Sequence, residues 1–343
     1  MSTLRSVVVL SCLTLLVAVS LGATGCSRCS TAPESIENAK GSAALPRPDK
    51  GEFSVMTFNL NHYTLEDAQD TSDNPQPFPR PEADALVEII QQAAPDILAI
   101  QGMGPAAAWA EFQHCLRAAG LDYRYVEYLP RDGQNTHLGV LSRFPIVARQ
   151  PHTEDRYTIG PTQFPVLRGF IDIDIEPNPG YRFRLIAAHL KSKRFHEYGQ
   201  AEMRRNEARL LGNHIRAALA ENPDINLLVL GDFNDEPGSR VLREILEYQG
   251  KPLLFDLRPV DDAGDAWTRR AEADTHQRTD YILPNSGMLN EVILAKTGIL
   301  RSARLLTASD HRPLVATFVA REQAKDQAPD LSTRTPPVFP QHD

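Results

Sequence analysis

Between positions 51 and 320 the apolar residues come in short runs with two different spacings. Ile171, Ile173 and Ile175 alternate with Asp172 and Asp174, the period of a strand with one face buried and one half-exposed. That strand is predicted over 166–175. The apolar, β-branched runs at 53–58, 97–100, 139–142, 183–188, 226–230, 281–283 and 313–319 predict seven more. Elsewhere the spacing stretches to three and four: Leu86, Ile89 and Ile90 share one face of a helix predicted over 82–92. Further helices are predicted over 106–119, 201–220 and 240–248, the last opened by Pro237-Gly238-Ser239. Strands interleaved with helices of this length argue an α/β layered fold.

The ends of the chain follow other rules. Arg5 precedes an apolar run at 7–22, and Ala23-Thr24-Gly25-Cys26 follows it. A basic start, an apolar core too short for a comfortable bilayer span and small residues before a break read as a signal peptide over 1–25. Small residues directly before a Cys resemble a bacterial lipoprotein cleavage site, although Ala23 stands where Leu is usual. Cys26 is then the lipidated first residue of an exported protein, held at the cell envelope through its lipid anchor; plain secretion is the alternative. Residues 26–50 are small and polar, a tether, and 321–343, rich in Pro, Gln, Asp and Thr, read as a disordered tail. One folded domain, 51–320, remains.

Composition narrows the function. Of 343 residues, 42% are hydrophobic and 23% charged, the balance of a folded soluble domain. Thirty-six Lys and Arg against 44 Asp and Glu leave a net charge of -8, which argues against coating nucleic acid by bulk electrostatics. It leaves room for an enzyme that grips phosphate through a bound cation. Beyond Cys12 in the signal and Cys26, only Cys29 and Cys115 remain, neither a disulfide framework nor a zinc pattern.

Chemistry concentrates where strands end. The run Leu227-Leu228-Val229-Leu230 leads into Gly231-Asp232-Phe233-Asn234, and side chains two apart on an extended chain face the same way, so Asp232 and Asn234 project together. Asp280 opens the strand at 281–283, Asp310 and His311 precede Pro313, His189 ends Ala187-Ala188, and Asn59 ends Met56-Thr57-Phe58. Any one of these alone is most simply a turn cap or a satisfied core residue. Five in succession point to a site.

In this order the landmarks resemble the endonuclease/exonuclease/phosphatase superfamily: pancreatic-type deoxyribonucleases, abasic-site endonucleases, neutral sphingomyelinases and inositol polyphosphate phosphatases. Thr57-Phe58-Asn59, the strand ending Ile100-Gln101, Ser142-Arg143-Phe144-Pro145, His189-Leu190-Lys191-Ser192, Gly231-Asp232-Phe233-Asn234, Thr279-Asp280-Tyr281 and Ser309-Asp310-His311 carry the resemblance. It implies a deoxyribonuclease I-like, four-layer α/β sandwich with two packed mixed β-sheets and the site at one edge. It further implies that Asp310, with Asn59 nearby, binds a divalent metal, Mg²⁺ or alternatively Mn²⁺. Asp232 would orient or deprotonate the attacking water, and Asn234 would hold that water or a phosphate oxygen. His311 would donate to the phosphate with Asp280 fixing its tautomer, and His189 would be a second donor. Phosphate-ester hydrolysis chiefly needs charge neutralisation and an in-line water, which such a set supplies.

One position departs from the pattern. The family's principal metal ligand, a Glu after the strand ending in Gln101, is here Gly102. Asp96 lies at the wrong end of that strand, and Glu82 and Glu111 belong to neighbouring helices. Two readings follow: an exported, monomeric, metal-dependent phosphoesterase, with phosphodiesters favoured and nucleic acid, nucleotide or phospholipid headgroup as substrate; or a catalytically impaired relative that binds a phosphorylated ligand without cleaving it. Lys191, Lys193, Arg194, Arg204 and Arg205 form a basic stretch suited to phosphate or to a solvated helix face.

Overall fold

The structure is a computed structural model that describes residues 48–66, 78–79, 82–271, 275–324 and 328–331. The expected signal peptide, Cys26, Cys29, most of the tether, residues 67–77 and the tail beyond 331 lie outside the described residues.

Two mixed sheets form the centre. The first has six strands in the order Gly298–Ile299, Leu314–Val319, Glu52–Tyr63, Ile97–Met103, His137–Ser142 and Tyr125–Leu129. The second has five: Asp280–Pro284, Leu227–Asp232, Tyr181–His189, Phe170–Asn178 and Ile146–Arg149. Each holds one parallel pair, Glu52–Tyr63 with Ile97–Met103 and Tyr181–His189 with Leu227–Asp232, between antiparallel neighbours. Strands buried on both faces carry near-continuous apolar runs, which is why 97–100 and 227–230 show no alternation.

Three clusters of buried side chains explain the four layers. Between the sheets pack Phe53, Val55, Val140, Ile173, Leu185, Leu230 and Phe318. The outer face of the first sheet, with Met56, Phe58 and Ile100, is covered by the helices Ala83–Ala93 and Ala106–Ala118 through Leu86, Ile89, Ile90 and Phe112. The outer face of the second sheet, with Ile186 and Val229, is covered by Gln200–Glu221 and Arg240–Leu246 through Leu211, Ile215 and Leu242. The expected four-layer sandwich is the observed fold.

Several local expectations change. The strand predicted over 166–175 begins only at Phe170 and runs to Asn178; residues 166–169 are not strand, and Gly169 has a φ of +65°. A Cβ there would lie 2.6 Å from the His152 carbonyl oxygen, so the close approach needs glycine. Asp172 is not half-exposed: the helix layer covers that face, and Asp172 is buried 3.0 Å from His152 Nε2. The helix predicted to reach 248 stops at Leu246, and Glu247–Tyr248 pairs with Lys251–Pro252. Cys115 is a buried thiol that donates to Glu111.

Candidate active site

Strand register assembles the site. In the second sheet His189 stands opposite Asp232 in the parallel pair, and Asp232 opposite Asp280 in the antiparallel pair. In the first sheet Asn59 stands opposite Gln101, one residue before Gly102. The turn before Leu314–Val319 brings Asp310 and His311; it is tied to the end of the first strand by Ser309 Oγ, which donates to the Asn59 carbonyl at 2.8 Å. Both sheets therefore end at one edge, around a cavity of about 640 Å³. Asn59, Gly102, His189, Asp232, Asn234, Asp310 and His311 line it; Asp280 lies behind His311.

His311 and Asp280 form a buried pair, Nδ1 to Oδ2 at 2.9 Å. The same Asp280 oxygen accepts from Thr268 Oγ1 at 2.7 Å and Thr279 Oγ1 at 3.1 Å, so the carboxylate is held from three sides. Burial alone disfavours the imidazolium, but Asp280 and then Asp232 outweigh it and push the His311 pKa up to about 9. His189 goes the other way: burial, then the charges of Arg168 and His311, hold it well below the ordinary histidine value. The two histidines thus differ in charge at neutral pH, one a cation and one neutral.

Asp232 sits between them. Its Oδ1 accepts from the Asn234 amide N–H at 2.9 Å and its Oδ2 from Asn59 Nδ2 at 2.9 Å. His189 Nε2 lies 3.4 Å away and His311 Nε2 3.8 Å away. Burial, then Asp280, raises the Asp232 pKa, which makes it a stronger base than an exposed carboxylate. The Asn234 side chain, at the left-handed φ of +53°, donates to the Leu190 carbonyl at 3.0 Å and braces the loop.

Gly102 is remodelled backbone. Opposite it the first strand bulges: Asn59 pairs with Gln101 and Tyr63 with Met103, so Leu60, Asn61 and His62 face a single residue. Asn61 and His62 have φ of +50° and +66°, and Gly102 has +76°. A Cβ on Gly102 would lie 2.9 Å from Asn59 Oδ1 and 3.1 Å from the His62 amide nitrogen. The bulge fills the space from which a glutamate would project. Neither Glu82 nor Glu111 lines the cavity; Glu111 accepts hydrogen bonds from Tyr63 and Cys115. Asp96 locks the opposite end of its strand, accepting from Ser54 and Arg143.

Among the described residues, two groups of acidic and histidine side chains are close enough to hold a metal, and Asp232, Asp280 and His311 form the one at this site. The residue the resemblance singled out, Asp310, has its Oδ1 buried without a hydrogen-bond partner among the described residues, and Asn59 Oδ1 accepts from the Asn61 amide. An unpartnered carboxylate oxygen at the cavity wall fits a hard cation, with fewer protein oxygens than such ions usually take. Three positioning residues escaped the sequence pattern. Arg269 Nε reaches Asp310 Oδ2 at 3.2 Å, Arg168 lines the cavity and donates to the His189 carbonyl at 3.4 Å, and Thr268 supports Asp280. Nothing local marks these residues; only tertiary packing brings them in.

The fold is a four-layer sandwich that places an Asp-backed histidine, a buried carboxylate and a second histidine at one sheet edge. The sequence matches the Endonuclease/Exonuclease/phosphatase family over residues 56–311, and the chain belongs to that family, whose members hydrolyse phosphate esters and generally depend on divalent metal. No curated protein matches the sequence. Among solved structures, the human Nocturnin catalytic domain with bound sulfate is 19% identical with a TM-score of 0.55, covering 81% of this chain and 96% of its own. Truncated Caenorhabditis elegans TDP2 is 18% identical with a TM-score of 0.51, covering 78% of this chain and 98% of its own. A Beutenbergia cavernae endonuclease/exonuclease/phosphatase is 18% identical with a TM-score of 0.55, covering 79% and 72%. At these identities the likeness establishes the fold.

Proposed function

We propose that the chain is an exported, lipid-anchored, monomeric hydrolase of phosphodiesters that uses Mg²⁺, with Mn²⁺ as an alternative. The observation that carries this reading is the buried His311–Asp280 pair facing Asp232 across the cavity. Asp232 Oδ2 is the base for the attacking water, and burial raises its basicity. His311, cationic through its carboxylate partners, presents Nε2–H to a phosphoryl oxygen. Neutral His189 presents Nε2–H beside Asp232 without adding a charge that would quench it. Asn234 holds the loop that carries Asp232, and Arg168 adds positive charge at the cavity wall. Asp310 and Asn59 would hold Mg²⁺, which when bound would supply charge neutralisation on the phosphoryl oxygens.

The test is hydrolysis of a phosphodiester panel with and without millimolar Mg²⁺. His311→Ala and Asp280→Ala are each expected to lower kcat by about 10²-fold or more, and the double variant to lose less than the product. Full activity in His311→Ala would remove the assignment. The filled space above Gly102 favours a second reading, a member that binds a phosphorylated ligand without cleaving it. Ligand binding with no turnover at any metal concentration would select that reading.

A further inference from the structure

A second concave surface lies on the outer helical layer. The helix Gln200–Glu221 and the helix Arg240–Leu246 pack closely at Gly212, where a Cβ would lie 2.3 Å from the Glu244 carbonyl oxygen. Beside that crossing is a groove of about 520 Å³ lined by five arginines: Arg205, Arg209 and Arg216 on one wall, Arg240 and Arg243 on the other. At about 100° per residue, Arg205, Arg209 and Arg216 fall within about 40° of one another and mark a stripe about 16 Å long. Against them stand Glu244 and Glu247. Arg205 lies 3.6 Å from Glu244 and from Glu202, loose pairs on a half-exposed side chain, and these leave the groove cationic. In a chain of net charge -8 this concentration of guanidinium is local and one-sided.

The groove and the cavity draw on adjacent stretches of chain. Lys193 and Arg194 line the cavity, and their loop is held by buried Arg204, which donates to the Lys191 carbonyl at 3.2 Å and pairs with Asp235 at 2.9 Å. Arg205, the next residue, begins the groove. Tyr248 closes its far end, nearly half exposed, with the Arg216 guanidinium 4.5 Å from the ring centroid.

Guanidinium forks match phosphate geometry, and an exposed aromatic offers a stacking face to any base. We infer that this groove is a binding site for the sugar–phosphate backbone of single-stranded nucleic acid, continuous with the catalytic cavity; the continuity rests on the phosphodiesterase reading above. A membrane surface would ask for protruding apolar side chains, whereas among the described residues that line this groove the only exposed large hydrophobic one is Tyr248.

Fluorescence anisotropy with the tag-free full chain in EDTA, where cutting is suppressed, tests this on oligonucleotides of about 16 and about 4 nucleotides. The charge reversal R205E/R209E/R216E should weaken binding of the longer strand by about tenfold or more and reduce its salt slope by about two, leaving the shorter strand within about twofold. R240E/R243E, on the other wall, should repeat the loss and decides the matter if the triple variant fails to fold by circular dichroism. Unchanged affinity for the longer strand in both variants overturns the inference. So does loss of binding to phosphatidylglycerol vesicles alone, which would make the groove a membrane contact. Hydrolysis of bis(4-nitrophenyl) phosphate keeps the two readings apart. If the wild type cleaves nothing yet binds the longer strand through these arginines, the hydrolase reading falls and the groove stands. If it cleaves and the arginines do not matter, the reverse holds.

Discussion

At the scale of single residues, Gly102 says most about how this site departs from its family. Restoring a glutamate there would add a carboxylate to the proposed metal shell, since a contact carboxylate is worth on the order of a few kcal/mol to a divalent ion. The structure opposes it twice. The φ of +76° is strained for any residue with a side chain, at roughly 1–3 kcal/mol, and the added Cβ would press on Asn59 Oδ1, the oxygen proposed for the metal. Gly102→Glu is therefore expected to lower the melting temperature by several degrees and to leave Mg²⁺ affinity no better than wild type. Calorimetric titration of both proteins checks this; tighter Mg²⁺ binding in a fully stable variant would show that the bulge yields.

Among the elements, the buried strands were legible because their apolar runs are dictated locally, whereas two weakly patterned strands at sheet edges were not. Tyr125–Leu129 and Ile146–Arg149 are half-buried and weakly patterned, and hydrogen bonds to a neighbour decide them. The end of Tyr181–His189 remote from the site carries a separate titrating cluster. There Glu291 accepts a hydrogen bond from Tyr181 Oη and one from Asn226 Nδ2 at 3.4 Å. Burial pushes the Glu291 pKa from 4.5 to about 8, against those hydrogen bonds. Because the folded-state value is the higher one, this contribution to stability is fully present below about pH 4.5 and is lost as pH rises through about 8. The wild-type melting temperature should therefore fall between pH 5 and pH 9 more steeply than that of Glu291→Gln, which keeps an acceptor for Tyr181 and carries no charge. Parallel pH profiles in thermal melts would contradict the assignment.

Taken as a whole molecule, the chain joins a folded phosphoesterase domain to an N-terminal segment whose chemistry is independent of that fold. Cys26, outside the described residues, is expected to be the diacylated N-terminus of the mature protein, since two acyl chains hold a protein to a bilayer where one does not. Mass spectrometry should find the lipidated cysteine, and Cys26→Ser should move the protein to the soluble fraction; an intact Met1 would sink the idea. The amino-acid order alone determined most of the long buried strands and the helices, that they layer as α/β, and that Asn59, His189, Asp232, Asp280, Asp310 and His311 lie at strand ends, because periodicity and strand-terminal polarity are local properties. Tertiary structure alone decided that a three-residue bulge fills the space over Gly102, that Arg269 shares Asp310, and that Thr268 and Arg168 support the reacting groups. Those facts depend on cross-strand register and on contacts between residues far apart in the chain, which no local pattern encodes.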